Sequence, residues 1–483
     1  MNRPASLCLL FLALVSGVAL LTANGCNGTH TATTPPIPAN SIQHIVIIFQ
    51  ENRTPDNLFH DQNLITAGAD IASSGLNSSH QTIQLLSQSM ATPYDIAHNH
   101  KSFELMYDGG KMDGADLIAT NCGTTCPPNP QYYYVDPSDV QPYFQLAEQY
   151  TFGDRMFQTN EGPSFPAHQF IISGTSAPTV PGASLSWAPT ETSTSFIADN
   201  ADTGLGGSDT GCTAPANQLI AVVDAAGNES STMYPCSEHP ALTDELDAKG
   251  ISWRYYTPSA GSLWTAPNGI QHICGPNATP PNATACVGSG WVNHVVLYTS
   301  ANPAPILTDI TNHQLTSVSW VIPAGQNSDH ADATTATGGP SWVASIVNAI
   351  GNSSYWANTA IIITWDDWGG WYDHVPPPKV INDSTSWGSG YVYGFRVPLI
   401  VVSPYAKAAY ISHVNHDFGS ILNFIEGTFG LASLGYADAN TTDNLSDCFN
   451  FNQTPLKFQP IAAPLSADHF LNDRSPQTDP DND

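Results

Sequence analysis

The chain is 483 residues long, 41% hydrophobic and 11% charged, which gives a globular protein with one large α/β domain or two unequal lobes and excludes a disordered chain. Asp and Glu number 41 against 12 Lys and Arg, for a formal net charge of -29. Too few cations remain to displace phosphate counterions, so a nucleic-acid partner is excluded, and an anionic lipid surface is repelled at neutral pH.

Met1 to Gly25 carries Arg3 and the apolar run Leu7 to Leu21, long enough for the core of a signal peptide and short for a membrane span. Residues 1–25 therefore read as a signal peptide and the protein as exported, whether secreted, periplasmic or lipid-anchored at the cell envelope. Cys26 follows Ala23-Asn24-Gly25, which resembles a lipoprotein processing site with Ala23 in place of the usual Leu. Lipidation of Cys26 and plain cleavage with free secretion both stay open. Residues 26–40, rich in Thr, Pro and Asn, read as a flexible tether.

The fold begins at Ile42. The run Ile42 to Phe49 is too continuously apolar for a one-sided strand and reads as a central one, and Ser317 to Ile322, Thr359 to Thr364 and Val397 to Val402 repeat the pattern. Helical spacing marks Ser341 to Ile350 and Asp417 to Phe429. Strands alternating with helices predict a largely parallel central sheet flanked by helices. The stretch 176–300, dense in Ser, Thr, Gly, Asn and Pro, reads as a loop-rich insertion, and 465–483 as a polar, acidic, frayed tail. Cys122 with Cys126, Cys212 with Cys236 and Cys274 with Cys286 are candidate disulfides in an oxidising compartment, which leaves Cys448 over.

In an open α/β sheet, ligands gather at the carboxyl ends of the strands. Ile42 to Phe49 runs into Gln50-Glu51-Asn52-Arg53, and Thr359 to Ile363 runs into Thr364-Trp365-Asp366-Asp367-Trp368-Gly369-Gly370. Each group alone could be a helix cap or a turn. Together they place carboxylates and an amide oxygen where a divalent cation could be held. In Asn160-Glu161-Gly162-Pro163-Ser164-Phe165-Pro166-Ala167-His168, a serine stands before a helix start expected at Pro166, near backbone N–H groups able to hold a phosphoryl anion. That serine is a presented nucleophile or an N-cap.

Ile45-Val46-Ile47-Ile48-Phe49-Gln50-Glu51-Asn52-Arg53-Thr54, Gly162-Pro163-Ser164 with Ser173-Gly174-Thr175, and Thr364 through Trp368-Gly369-Gly370-Trp371-Tyr372-Asp373-His374 to Pro377 resemble, in order, the phosphoesterase family of acid phosphatases and bacterial phospholipases C. The resemblance spans about residues 42–432. It implies a fold similar to alkaline phosphatase across residues 41–464, with loop-rich insertions. It also implies a divalent metal ion held by Glu51, Asn52, Ser164, Asp366 and Asp367, with Ser164 as nucleophile. Family members often carry Glu where Asp367 stands, and phospholipases C tend to have Thr where Ser164 stands.

Phosphoryl transfer needs donors for the non-bridging oxygens and a proton for the leaving group, and with so few Lys and Arg, histidines are the natural partners. His98, in Asp95-Ile96-Ala97-His98, and His330, in Ser328-Asp329-His330, resemble family segments that face phosphate and are assigned catalytic roles. His294 is a weaker match, assigned to substrate binding; His100 replaces His98 if the alignment moves by two, and His374, beside Pro376-Pro377-Pro378, reads as structural. The expected reaction passes through a phosphoserine on Ser164. Ser164 and the acidic balance favour an acid phosphatase acting on small phosphoesters over a phospholipase C acting on phospholipids. The rival from another class is a surface ligand-binding protein without catalysis, against which the retained nucleophile and ligand set argue.

Overall fold

His44–Gln50 (β1) is apolar on both faces, and every residue from Ile45 to Gln50 is buried, so it takes the middle of a sheet, as expected of a run rich in Ile and Val. In the computed structural model the same sheet contains Thr151–Phe157 (β2), Trp253–Thr257 (β3), Val295–Leu297 (β4), Val318–Val321 (β5), Thr359–Trp365 (β6), Arg396–Val402 (β7), Tyr410–Ser412 (β8) and His416–Asp417 (β9). Their order is β4-β3-β5-β1-β6-β7-β2-β8, with β9 also on β2. The structure describes residues 37–480 apart from 39, 180–195, 201–209, 225–226, 332–334, 380–392 and 442. All of the described residues fall in one unit. The signal peptide, Cys26 and all of the tether except Ile37, Pro38 and Asn40 lie outside the described residues.

The sheet is parallel from β4 to β6, and β7 alone runs against its neighbours, antiparallel to both β6 and β2. A parallel return from β6 would need a crossover, and the described parts of the connection, residues 366–379 and 393–395, carry no helix. Pro398 sits inside β7 at a register shift between Val397 and Leu399, where a missing N–H costs no ladder bond.

Helices cover both faces. Phe49 packs against Phe418 and His168, of Phe418–Phe429 and Ser164–Ser173, while Trp365, which points the other way, packs against Tyr143 of Gln141–Gln149. In chain order these helices are α1 (Gln141–Gln149), α2 (Ser164–Ser173), α3 (Gly338–Gly351) and α4 (Phe418–Phe429). α4 begins on a capping box in which Asp417 accepts from Ser420 N–H, and ends at Gly430 with φ of 64°. Among the described residues, no helix is long and apolar enough to cross a membrane.

Two expectations are corrected. The stretch 176–300 is more than an insertion, because β3 and β4 belong to the central sheet. Neither shows a long apolar run: β3 is interrupted by Arg254 and β4 is three residues long. The remainder includes a small antiparallel sheet of Phe196–Ile197, Ile220–Val223 and Glu229–Met233. The acidic tail is not frayed either: Ala467–Asn472 (α5) buries Phe470 against Trp342, with centroids 5.2 Å apart, and Gly325 N–H donates to the Thr478 carbonyl at 2.9 Å. The three expected disulfides form, and Cys448 is buried and unbridged.

Candidate active site

Strand alternation sets the site. Gln50 is in register with Trp365, and Asp366 N–H donates to the Gln50 carbonyl at 3.0 Å. Glu51 and Asp366 therefore leave the two strand ends side by side, on the face covered by α2. Asn52 follows in the left-handed region, φ 62°, with its N–H on Asp366 Oδ1 at 3.0 Å. The turn needs Gly369, since a Cβ there would stand 2.4 Å from the Asn52 carbonyl oxygen.

Ser164 is the first residue of α2, two positions earlier than the start expected at Pro166, because a proline fits anywhere in a first helical turn. Its hydroxyl donates to Asp367 Oδ2 at 3.2 Å. Gly162 lets the chain in, as a Cβ there would come within 2.0 Å of the Ala198 carbonyl oxygen. The helix end offers an anion less than expected. Phe165 N–H is taken by Asn200 Oδ1 at 2.9 Å, Pro166 has none, and Ala167 N–H reaches the Pro163 carbonyl at 3.3 Å.

His98 donates from Nδ1 to the Ile96 carbonyl at 2.8 Å, which leaves Nε2 to accept from Asn52 Nδ2 at 3.0 Å. The amide is thereby turned so that the buried Asn52 Oδ1 has no hydrogen-bond partner among the described residues. The His330 ring lies 6.0 Å from that of His98. Two side chains from the end of β1 clamp its loop. Gln50 donates to the Asn327 carbonyl and accepts from Asp329 N–H, both at 3.1 Å, and Arg53 donates to the carbonyls of Asp329, at 2.7 Å, and His330, at 3.4 Å. The Arg53 guanidinium is fully buried and spent on backbone carbonyls and on Asn57 Oδ1, so it does not face a phosphate.

Glu51, Asn52, Ser164, Asp366 and Asp367 are all fully buried. Burial pushes the Asp366 carboxyl up, but the neighbouring His168, Glu51 and Ser164 side chains outweigh it and hold Asp366 below the usual range. Burial and the neighbouring Asp366 charge raise Asp367 to about 8, against the pull of His98 and His330.

The structure thus brings Glu51, Asn52, His98, Ser164, His330, Asp366 and Asp367 together, and it adds His168. The Nε2 of His168 lies 3.6 Å from Asp366 Oδ2 and 3.9 Å from Glu51 Oε1. The signal was present in the sequence, because His168 stands four residues after Ser164 and so shares its helix face. His294 is not brought to the cluster. Its ring lies flat on Trp253, centroids 4.1 Å apart, at the amino end of β3, whereas the cluster is at the carboxyl ends of β1 and β6. His100 is held between Glu229 Oε1 at 3.2 Å and Glu161 Oε2 at 3.6 Å, so it is His98 that meets Asn52.

A profile of the phosphoesterase family matches residues 42–432. The chain belongs to the phosphoesterase family. This phosphoesterase is 28% identical over 248 residues to phospholipase C A of Mycobacterium tuberculosis, covering 46% of each chain. It is 25% identical over 450 residues to the non-hemolytic phospholipase C of Burkholderia pseudomallei, covering 81% of this chain and 57% of that one. Against the hemolytic phospholipase C of Pseudomonas aeruginosa the identity is 24% over 436 residues, with 81% and 53% covered. The phosphoesterase spans about half the length of the curated relatives it matches. Among solved structures, a protein of the alkaline phosphatase superfamily from Vibrio parahaemolyticus overlaps 84% of this chain and 72% of its own, at a TM-score of 0.34 and 11% identity, too distant to assign any residue a role.

Among the described residues, two acidic groups in this phosphoesterase have the spacing of a cation site: Glu51, His168 and Asp366, and Asp56, Asp373 and His374, each with ligand atoms within 4.8 Å of one another. The second is neutralised from within. Arg396 donates to Asp373 Oδ1 at 2.9 Å and to Asp56 Oδ1 at 3.3 Å, while His374 bridges Asp56 at 2.7 Å and Asp70 at 3.1 Å, the structural role expected of it. The first fits a metal. Among the described residues Asp366 Oδ2, Asn52 Oδ1 and His168 Nε2 are buried without a hydrogen-bond partner, and the largest influences on Asp366 and Asp367 are burial, histidines and other carboxyls.

Proposed function

We propose that this phosphoesterase is an exported, metal-dependent phosphatase that hydrolyses small phosphomonoesters through a phosphoserine on Ser164. The observation that carries the reading is the Ser164 hydroxyl, 3.2 Å from Asp367 Oδ2 at the edge of the Glu51 and Asp366 carboxyl pair. Glu51, Asn52, Asp366, Asp367 and Ser164 are the residues that would hold the divalent ion. When bound, it supplies positive charge that favours the serine alkoxide and offsets the clustered acids.

Ser164 Oγ attacks phosphorus and gives its proton to Asp367, whose Oδ2 the hydroxyl already faces at 3.2 Å. The bond from phosphorus to the ester oxygen breaks, and the alcohol leaves with a proton from His330. Water then gives a proton to His330 and attacks the phosphoserine, the bond from phosphorus to Ser164 Oγ breaks, Asp367 returns the proton to Ser164, and phosphate departs. His98 orients Asn52 and leaves the acid role to His330, because its Nε2 accepts from the Asn52 amide. Both rings border the place of the phosphoryl group, where the helix end supplies few N–H donors.

Ser164 and the net charge of -29 favour a soluble phosphomonoester over an anionic lipid surface. Cleavage of phospholipid head groups is the second reading, favoured by the phospholipases C among the relatives. Ser164→Ala should lower kcat/KM on an aryl phosphate by at least about 1,000-fold with an unchanged denaturation midpoint. Undiminished turnover would remove Ser164 from the mechanism. Phosphate release from the aryl ester without diacylglycerol release from phosphatidylcholine supports the phosphatase, and the reverse pattern selects the phospholipase.

A further inference from the structure

The cation site has a nitrogen aimed into it. The His168 ring is fully buried, and its Nδ1 faces the Tyr255 hydroxyl at 3.4 Å. Tyr255 spends its one proton on the Trp264 carbonyl, so its oxygen can only accept from the imidazole. Nδ1 is thus committed to Tyr255, and Nε2 is the ring atom that faces Asp366 Oδ2 and Glu51 Oε1, across 3.6 and 3.9 Å. Those gaps are too long for hydrogen bonds. Two ligands about 2.1 Å from a tetrahedral cation stand roughly 3.4 Å apart, close to the spacing seen. A buried imidazole nitrogen beyond hydrogen-bond reach of two facing carboxyl groups is compensated by a proton or, with all three as ligands, by a cation among them.

We propose that His168 is a nitrogen ligand of this site and makes it selective for a transition-metal dication, of the zinc, cobalt or manganese kind, over calcium and magnesium. Hard cations prefer all-oxygen shells, whereas an imidazole nitrogen strengthens binding of first-row metals. Tyr255 acts through His168 as a positioning residue. The inference rests on the reading of Glu51 and Asp366 as metal ligands and specifies which ions they accept.

Calorimetry with Zn²⁺, Mg²⁺ and Ca²⁺ on the full chain gives the test, beside His168→Asn, which keeps a group near Tyr255 and lacks an atom that reaches the carboxyls. The wild type should bind Zn²⁺ at least about tenfold tighter than Mg²⁺ or Ca²⁺, and His168→Asn should lose that preference. Electron spin-echo spectroscopy of the Cu²⁺-loaded wild type needs no variant and should show nitrogen modulation from a bound imidazole. Selective Zn²⁺ binding unchanged in His168→Asn, or no nitrogen modulation, overturns the ligand role and leaves the phosphoesterase reading standing. Failure of the wild type to bind any of these ions overturns the metal reading, and this inference with it.

Discussion

Asn52 combines a backbone and a side-chain demand. Its φ of 62° is one that most L residues avoid at a cost of about 1 kcal/mol, and its amide bridges the His98 ring to the site. Asn52→Gly keeps the backbone and removes the amide, while Asn52→Ala removes the amide and strains the backbone. Both should lower turnover at least about 100-fold, and denaturant titration should find the alanine variant about 1 kcal/mol less stable than the glycine one. Equal stabilities would show that the turn is not strained. At this scale the sequence was readable where a residue type limits the chemistry: Glu51, Asn52, Ser164, Asp366 and Asp367 do converge. It was misleading for His294, because a histidine before a strand looks the same in sequence whichever end of the sheet it occupies.

Of the strands, those legible in advance were the ones rich in β-branched and other apolar residues, namely β1, β5, β6 and β7. β2 escaped notice because Gly153, Asp154 and Arg155 interrupt its apolar run, although Asp154 is fully buried and pairs with His413 at 2.9 Å. The reversed direction of β7 was likewise hidden, since polarity along a chain does not reveal whether a connection crosses the sheet. The loop between β6 and β7 is secured by charge. Burial lowers the His374 pKa, but its hydrogen bond to Asp56 and the charges of Asp56 and Asp373 outweigh burial and raise it to about 9. A raised histidine pKa contributes stability fully present below about 6.5 and lost as pH rises through about 9. The stability gap between wild type and His374→Gln, measured by denaturant titration, should therefore shrink by on the order of 2 kcal/mol between pH 6 and pH 10. A gap that stays constant would show that the ring is neutral in the fold.

Across the whole molecule, the first turn of the loop carrying His330 depends on the far end of the chain. Gly325 N–H is bonded to Thr478, a Cβ at Gly325 would stand 2.3 Å from the Asp479 carbonyl oxygen, and Gln326 donates to Asp473 at 3.3 Å. The composition of that tail suggested fraying, because one buried ring, Phe470, carries its docking among acidic and polar neighbours. Phe470→Ala should cost about 3 kcal/mol in denaturant titration and lower kcat more than it raises KM, as the His330 loop loosens. A kcat equal to wild type would uncouple the tail from the site. This anchoring also separates the two halves of the site. Ser164 and the carboxyl pair stand on α2, β1 and β6, whereas the loop that bears the proton donor is moored to Gln50 and Arg53 on one side and, through Gly325 and Gln326, to Thr478 and Asp473 on the other. A protease that clipped the segment 473–479 would leave the nucleophile in place and slacken its acid.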